Sequence, residues 1–322
     1  MSHGLTPLLT AAIGFAYVGG ITFVALGVYL TYRRRLLHPL LLVCIAAISI
    51  SWIEAPYDWA VYAQFAPAIP RMPSWWPLNM TWGGLPASVP PGYIAYFVFP
   101  AVIGAALGRR LSTRFGWRRP TTLLTVGLVV GFLWAFFFNA ILGARLGVFY
   151  YGRVIPGLAL WQGTKHQYPL YDALAMGVQM MVFTYILGRT DPNGLTIIDV
   201  WADTRTTSRL QSSVLSIIAV TVIANVLYGA VFAPHLVTKL EGRVTAGPTA
   251  PLFPGLPNQP LQGQPARGSR GIEQGCRAPT SPSHTLDASS KASDWRSPAF
   301  CSESSRSERV GRALDNAELP TS

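Results

Sequence analysis

The sequence predicts an all-α fold: a polytopic membrane helix bundle of about six transmembrane helices, followed by a disordered C-terminal tail. Three observations carry this expectation. Only 12% of the 322 residues are charged, while 50% are hydrophobic, and a soluble domain carries about 25% charged residues. The mean hydropathy is +0.33. The apolar residues also gather in long blocks almost free of charge, near the ~20 residues that a helix needs to cross a ~30 Å hydrocarbon core. That composition excludes an ordinary cytosolic enzyme and a wholly disordered chain.

The blocks run over residues 7–31, 36–53, 90–108, 121–144, 170–188 and 210–232. The first has no Lys or Arg before it, and Arg33, Arg34 and Arg35 follow it. A secretory leader has the opposite charge order, so this block is expected to stay in the membrane. Loops after the first, third and fifth blocks hold eleven arginines, and those after the second and fourth hold four basic residues. Positive charge favours the cytoplasmic side. The expectation is therefore a multi-pass plasma-membrane protein with both termini extracytoplasmic. The net charge of +11 follows from the same arginine runs, which argues against nucleic acid as a partner. Membrane lipid and a hydrophobic small molecule are the partners expected, and the oligomeric state stays open.

Residues 1–238 form the expected membrane domain, with an ordered aromatic loop at 55–91. Residues 239–322 read as a disordered Pro/Ser/Gly/Arg-rich tail. From Glu241 onward, Leu, Ile, Val and Phe make up 11 of 82 residues, below the ~20% under which a chain cannot bury a core. Cys44 sits in an apolar block, and Cys276 and Cys301 fall in the tail. No disulfide framework emerges.

Ionisable residues near apolar blocks are costly and therefore informative. On the expected outer side these are Glu54, Asp58, Arg71, Lys165, His166 and Asp172, whereas Asp191, Asp199 and Asp203 fall among cytoplasmic arginines. Glu54 and Asp58 are four apart, which on a helix places both on one face. Pro56 between them demands that a helix end, kink or restart. Two carboxyls beside such a break can do acid–base work, one protonated and one ionised. They can equally mark the water interface, with Trp52, Tyr57 and Trp59 as an aromatic belt.

Loop 55–91 contains eight prolines and carries Trp75, Trp76 and Trp82-Gly-Gly-Leu-Pro86. A rigid aromatic lid over the bundle mouth fits this content, since ordered loops of such length are commonly functional. An interfacial loop lying on the headgroups fits equally well. Tyr93, Tyr96, Asn139, Asn225, His166 and Asp172 are the other polar side chains, most of them converging on the same half of the bilayer. No HxxxH, HExxH or Cys/His spacing is present, so no metal is expected, and no nucleotide cradle suggests a cofactor.

At Glu54-x-Pro56-x-Asp58, Trp82-Gly-Gly-Leu-Pro86 and Pro91-Gly-Tyr93-x-x-Tyr96, the chain resembles the AveC-type spirocyclase family of multi-span membrane proteins, over roughly residues 10–235. The resemblance implies acid-assisted cyclisation and dehydration of a polyketide-like or lipid-like hydroxy-ketone to a spiroketal. The chemistry asks for what glycoside hydrolysis asks: one carboxylic acid to protonate the departing oxygen, and a carboxylate to stabilise positive charge. The catalytic candidates are then Glu54, Asp58, Asp172 and His166. Trp75, Trp82, Tyr93 and Tyr96 would wall the substrate, with Arg71 and Asn139 as further binding candidates. A non-catalytic membrane protein and a small-molecule transporter remain the alternatives.

Overall fold

The computed structural model describes residues 5–76 and 78–242; the expected tail from residue 243 onward lies outside them. Among the described residues, six helices are long and apolar enough to cross a membrane: Pro7–Arg34, Pro39–Val61, Val89–Phe115, Arg119–Arg145, Leu170–Gly188 and Arg209–Leu240. These are the first to sixth spans below. The all-α membrane bundle expected from the sequence is the fold observed. A short helix, Ile197–Asp203, precedes the sixth span, and among the described residues four short strands form two antiparallel pairs.

Helix starts follow local chemistry. Proline occupies the opening turn of the first four spans, where its missing N–H costs nothing and its fixed φ suits the helix. Thr6 caps the first span by accepting from the Leu9 N–H at 3.3 Å. The His38 ring Nδ1 caps the second by accepting from Leu40 N at 3.1 Å, and Ser208 caps the sixth. The left-handed residues Arg35, Tyr62 and Gly116 stop the first three spans.

The fifth span coincides with its expected block, whereas several others outrun theirs at the C-terminal end. The second span continues to Val61 rather than stopping at 53, and the sixth runs through Pro234 to Leu240. Hydropathy marks where lipid contact ends, whereas the backbone stays helical until a cap intervenes. The break expected at Pro56 occurs just before it. A 3₁₀ turn at Ser51–Ile53 interrupts the second span, and the helix restarts at Glu54. Pro56 is thus in the first turn of the restarted helix, where proline is tolerated.

The fourth and fifth spans make the closest contact. A Cβ on Gly131 would stand 2.7 Å from Met180 Cβ and 3.1 Å from Gly177 Cα. A Cβ on Gly127 would stand 2.7 Å from Thr184 Cβ. Gly127-xxx-Gly131 is the small-residue spacing that lets membrane helices approach closely where hydrophobicity cannot drive association.

Between the second and third spans, residues 62–76 and 78–88 form a loop across one end of the bundle. Strand β1 (Ala63–Phe65) pairs antiparallel with β2 (Phe149–Tyr151), tying this loop to the one after the fourth span. Strands β3 (Ala159–Leu160) and β4 (Tyr168–Pro169) pair likewise. Met72 N donates to Leu85 O at 2.7 Å and Ala87 N to Pro70 O at 2.9 Å. Gly83 and Gly84 both have positive φ, 79° and 91°, which explains two adjacent glycines in Trp82-Gly-Gly-Leu-Pro86. The opposite end of the bundle carries the arginine runs.

Candidate active site

At the loop end, the restarted helix of the second span carries Glu54, Tyr57 and Asp58 into the bundle. Glu54 and Asp58 lie one turn apart on one continuous helix, so their Cβ atoms are roughly 5–6 Å apart on a shared face. Both line a cavity of about 140 Å³. Its walls are aromatic: Phe15 of the first span, Tyr93, Tyr96 and Phe97 of the third, Phe138 of the fourth, and Tyr151 of β2.

Each carboxyl has its own hydrogen-bond setting. Tyr93 Oη donates to Glu54 Oε2 at 2.5 Å. The Tyr93 and Tyr228 hydroxyls are 2.8 Å apart. Tyr93 has a single proton, already directed at Glu54, so Tyr228 donates to Tyr93 and the chain runs Tyr228 to Tyr93 to Glu54. Asp58 Oδ2 accepts from Thr81 Oγ1 of the 62–88 loop at 2.7 Å, which fastens that loop to the acid helix.

Asp172 is built differently. Its Oδ1 accepts from Tyr57 Oη at 2.7 Å, and its Oδ2 accepts from Asn139 Nδ2 and Tyr168 Oη, each at 2.8 Å. It is fully buried. Three donors therefore converge on its two oxygens. Tyr168, just outside the fifth span, is pushed well above the ordinary phenol range by burial and by the Asp172 charge, so it remains a donor. Tyr57 and Asn139 line the cavity, and Asp172 stands behind them, holding both.

Among the described residues, the cavity thus gathers Glu54, Asp58, Tyr93, Tyr96 and Asn139 from the sequence candidates, with Asp172 one layer back. The Tyr96 hydroxyl is buried beside Asn139 without a well-formed hydrogen bond.

Four sequence candidates stand outside the lining. Arg71 donates to the carbonyls of Phe65, Ala66 and Gly84 at 2.8, 3.0 and 3.1 Å, so it staples its own loop. Burial lowers it to about 10, with the Asp58 charge opposing. Trp75 points outward, 75% exposed. Trp82 stacks on Tyr62 with centroids 5.2 Å apart. The His166 ring pairs its Nδ1 with Ala144 O at 2.9 Å and meets Tyr150 edge-on. Asn225, mid-way along the sixth span, accepts from Trp52 Nε1 at 2.8 Å and donates to Ser49 Oγ at 3.0 Å, an interhelical clamp.

Sequence reasoning missed Tyr57, Tyr168, Tyr228 and Thr81 as site residues. Only Tyr168 left a usable trace, four residues before Asp172. Among the described residues no group of three or more His, Cys, Asp or Glu could hold a metal ion.

The fold and site define a multi-pass membrane protein with an acid–tyrosine cluster facing an aromatic cavity. A family model described as "Spirocyclase AveC-like" matches residues 32–259. That span covers well over half of the chain, and the protein belongs to this family. No curated protein and no solved structure matches it.

Proposed function

We propose that the protein catalyses acid-assisted ring closure of a hydrophobic hydroxy-ketone, polyketide-like or lipid-like, to a spiroketal within the plasma membrane, with both termini extracytoplasmic. The observation that supports this most is the Glu54–Asp58 pair on one helix face at the wall of an aromatic cavity. The substrate ketone and its first hydroxyl add to give a hemiketal. Glu54 protonates the hemiketal hydroxyl, the C–O bond breaks and water leaves. The negative charge of Asp58 stabilises the resulting oxocarbenium ion, in the manner of paired carboxylates in glycoside hydrolysis. The second hydroxyl attacks the cation, and its proton returns to Glu54, so the net change is loss of one water.

Tyr93 fixes the Glu54 carboxyl, and Tyr228 fixes Tyr93. Asp172 acts at one remove, as a positioning residue for Tyr57 and Asn139. The aromatic wall offers greasy surface to the substrate chain and keeps water from capturing the cation. Arg71, Trp75, Trp82 and His166 have no part in these steps.

The test supplies a long-chain dihydroxy-ketone to membranes containing the protein and follows the mass loss of one water and the enantiomeric excess of the product. With an achiral dihydroxy-ketone, uncatalysed closure gives a racemate. Wild type should give one enantiomer in excess, and Glu54→Gln and Asp58→Asn should each abolish that excess. Undiminished stereoselective product from both variants refutes the assignment.

A further inference from the structure

The bundle has a second cavity at its other end, between the close of the first span, the start of the second, the third and the end of the fifth. Its volume is about 390 Å³, within the ~300–1,000 Å³ typical of small-molecule pockets. Arg34, His38, Arg109 and Thr190 supply its polar lining, and Leu40 and Val102 contribute apolar wall. No acidic residue lines it.

These basic groups lack internal counter-charge. Eleven arginines and three aspartates occupy the loops and helix ends here. Asp191 and Asp199 bond within their own turns, and Asp203 bonds to the first turn of the sixth span. Asp191 accepts from Leu195 N at 2.7 Å. Asp199 closes the capping box with Thr196, and Asp203 accepts from Ser212 Oγ. Among the described residues no ion pair forms with Arg34 or Arg109.

The available donors converge on the cavity. Arg109 Nη1 donates to Leu187 O at 3.0 Å, which fixes the guanidinium and leaves further N–H groups of its five unpaired. Because His38 Nδ1 accepts the Leu40 N–H, the neutral ring carries its proton on Nε2 as a donor. Pro39 and Leu40, the first residues of the second span, also line the cavity. The N–H groups of Leu40, Leu41 and Leu42 are already bonded to His38, so the donors open to a ligand here are those of Arg34, Arg109 and the His38 ring.

We propose that this cavity binds a phosphate group, that of an anionic phospholipid headgroup or free inorganic phosphate, with Arg34 and Arg109 as its principal ligands. The mixed lining suits a headgroup whose chains run along Leu40 and Val102, and basic pockets between spans bind such lipids by the same physics. This site is independent of the acid cavity and of its chemistry.

Purified full-length protein in neutral detergent is titrated calorimetrically with short-chain phosphatidylglycerol, short-chain phosphatidylcholine and inorganic phosphate. Saturable one-site binding of phosphatidylglycerol or phosphate, in preference to phosphatidylcholine, is expected. Tighter phosphatidylglycerol identifies a lipid site, and tighter inorganic phosphate a solute site. Arg34→Gln and Arg109→Gln should each weaken binding roughly tenfold, the worth of a charged hydrogen bond. Arg34 is exposed at a helix end, so its variant keeps the fold if Arg109→Gln does not. Arg33→Gln, whose parent contacts Tyr29 outside the cavity, should bind as wild type does. Absence of saturable binding, equal phosphatidylcholine affinity, or an equal loss in Arg33→Gln overturns the proposal.

Discussion

Gly131→Ala offers the most direct test of how the bundle is held together. The added methyl would stand 2.7 Å from Met180 Cβ and 3.1 Å from both Gly177 Cα and Gly177 O, where carbon pairs prefer about 3.5–4.0 Å. Met180 Cβ and the Gly177 backbone cannot swing away as a flexible side-chain tip would. The fourth and fifth spans must therefore part by about 1 Å, and a gap of that size forfeits a quarter to a half of each contact well it opens. Overpacking of a tight interior typically costs 1–3 kcal/mol, and about 2 kcal/mol is expected at this site. Asn139 lies about two turns further along the fourth span, so its 2.8 Å bond to Asp172 should lengthen as the helices separate. Unfolding in detergent, followed by tryptophan fluorescence, gives the stability. Gly229→Ala is the control, because a Cβ there meets nothing within 4 Å, and its stability should stay within about 0.5 kcal/mol of wild type. Equal losses at Gly131 and Gly229, or no loss at Gly131, would refute the claim that close backbone approach holds these spans.

Three further outcomes are expected. His38, held below its ordinary value of 6.5 by burial and by Arg34, takes up a proton more readily when unfolded; the unfolded state binds more protons as pH falls through about 6.5, so stability falls with it, and His38→Asn, which keeps a capping side chain, should flatten that loss in an unfolding-versus-pH series. The Lys239 ammonium stands 3.6 Å from the centroid of Trp59 and 3.7 Å from that of Tyr62; Lys239→Met keeps the length of the side chain, removes the charge and should cost about 2 kcal/mol, the worth of a desolvated cation–π contact, read by the same unfolding assay. Arg71→Ala removes three charge-assisted bonds and leaves the carbonyls of Phe65, Ala66 and Gly84 unpaired; hydrogen exchange across residues 63–87 should quicken by at least tenfold while exchange in the fourth and fifth spans stays unchanged.

The spans were legible because hydropathy reports the solvent a helix meets. The same pattern placed Glu54 and Asp58 on one face and located a break near Pro56. It could not show that Trp75 would turn outward and Trp82 sideways onto Tyr62. Composition records that a loop is aromatic, whereas the strand pairing Ala63↔Tyr151 and the Arg71 staple decide which rings face the bundle. Tyr93 and Tyr96 line the cavity, but so do Phe15, Phe97 and Phe138, residues that look like ordinary lipid-facing aromatics inside apolar blocks. Asp172 is among the sequence candidates, but the sequence does not show what holds it. Its three donors come from the second span, the fourth span and β4, a convergence that no local window contains. The helix extension to Leu240 was hidden by Pro234 and by falling hydropathy, although Lys239 needs that extension to reach Trp59 and Tyr62.

The irregular turns of the bundle tell where its chemistry was placed. Three spans depart from α geometry: the first at Phe15–Gly19, the second at Ser51–Ile53 and the fourth at Phe136–Arg145. Two of these segments are π-helical and one is 3₁₀, all with poorer hydrogen bonding than an α-helix, and such interruptions concentrate at functional sites. All three border the acid cavity. The first presents Phe15 and Ala16 to it, the second ends where Glu54 begins, and the third carries Phe138 and Asn139. A regular α-helix through 136–145 would advance its side chains by 3.6 residues per turn, and the wider π turn changes which of Phe136, Phe137, Phe138 and Asn139 face inward. Phe137 is 52% exposed, whereas Asn139 is buried against Asp172. Lipid contact alone would favour unbroken helices, since every strained backbone bond costs more where water cannot replace it. The three departures coincide because one cavity requires side-chain directions that the straight helices cannot supply.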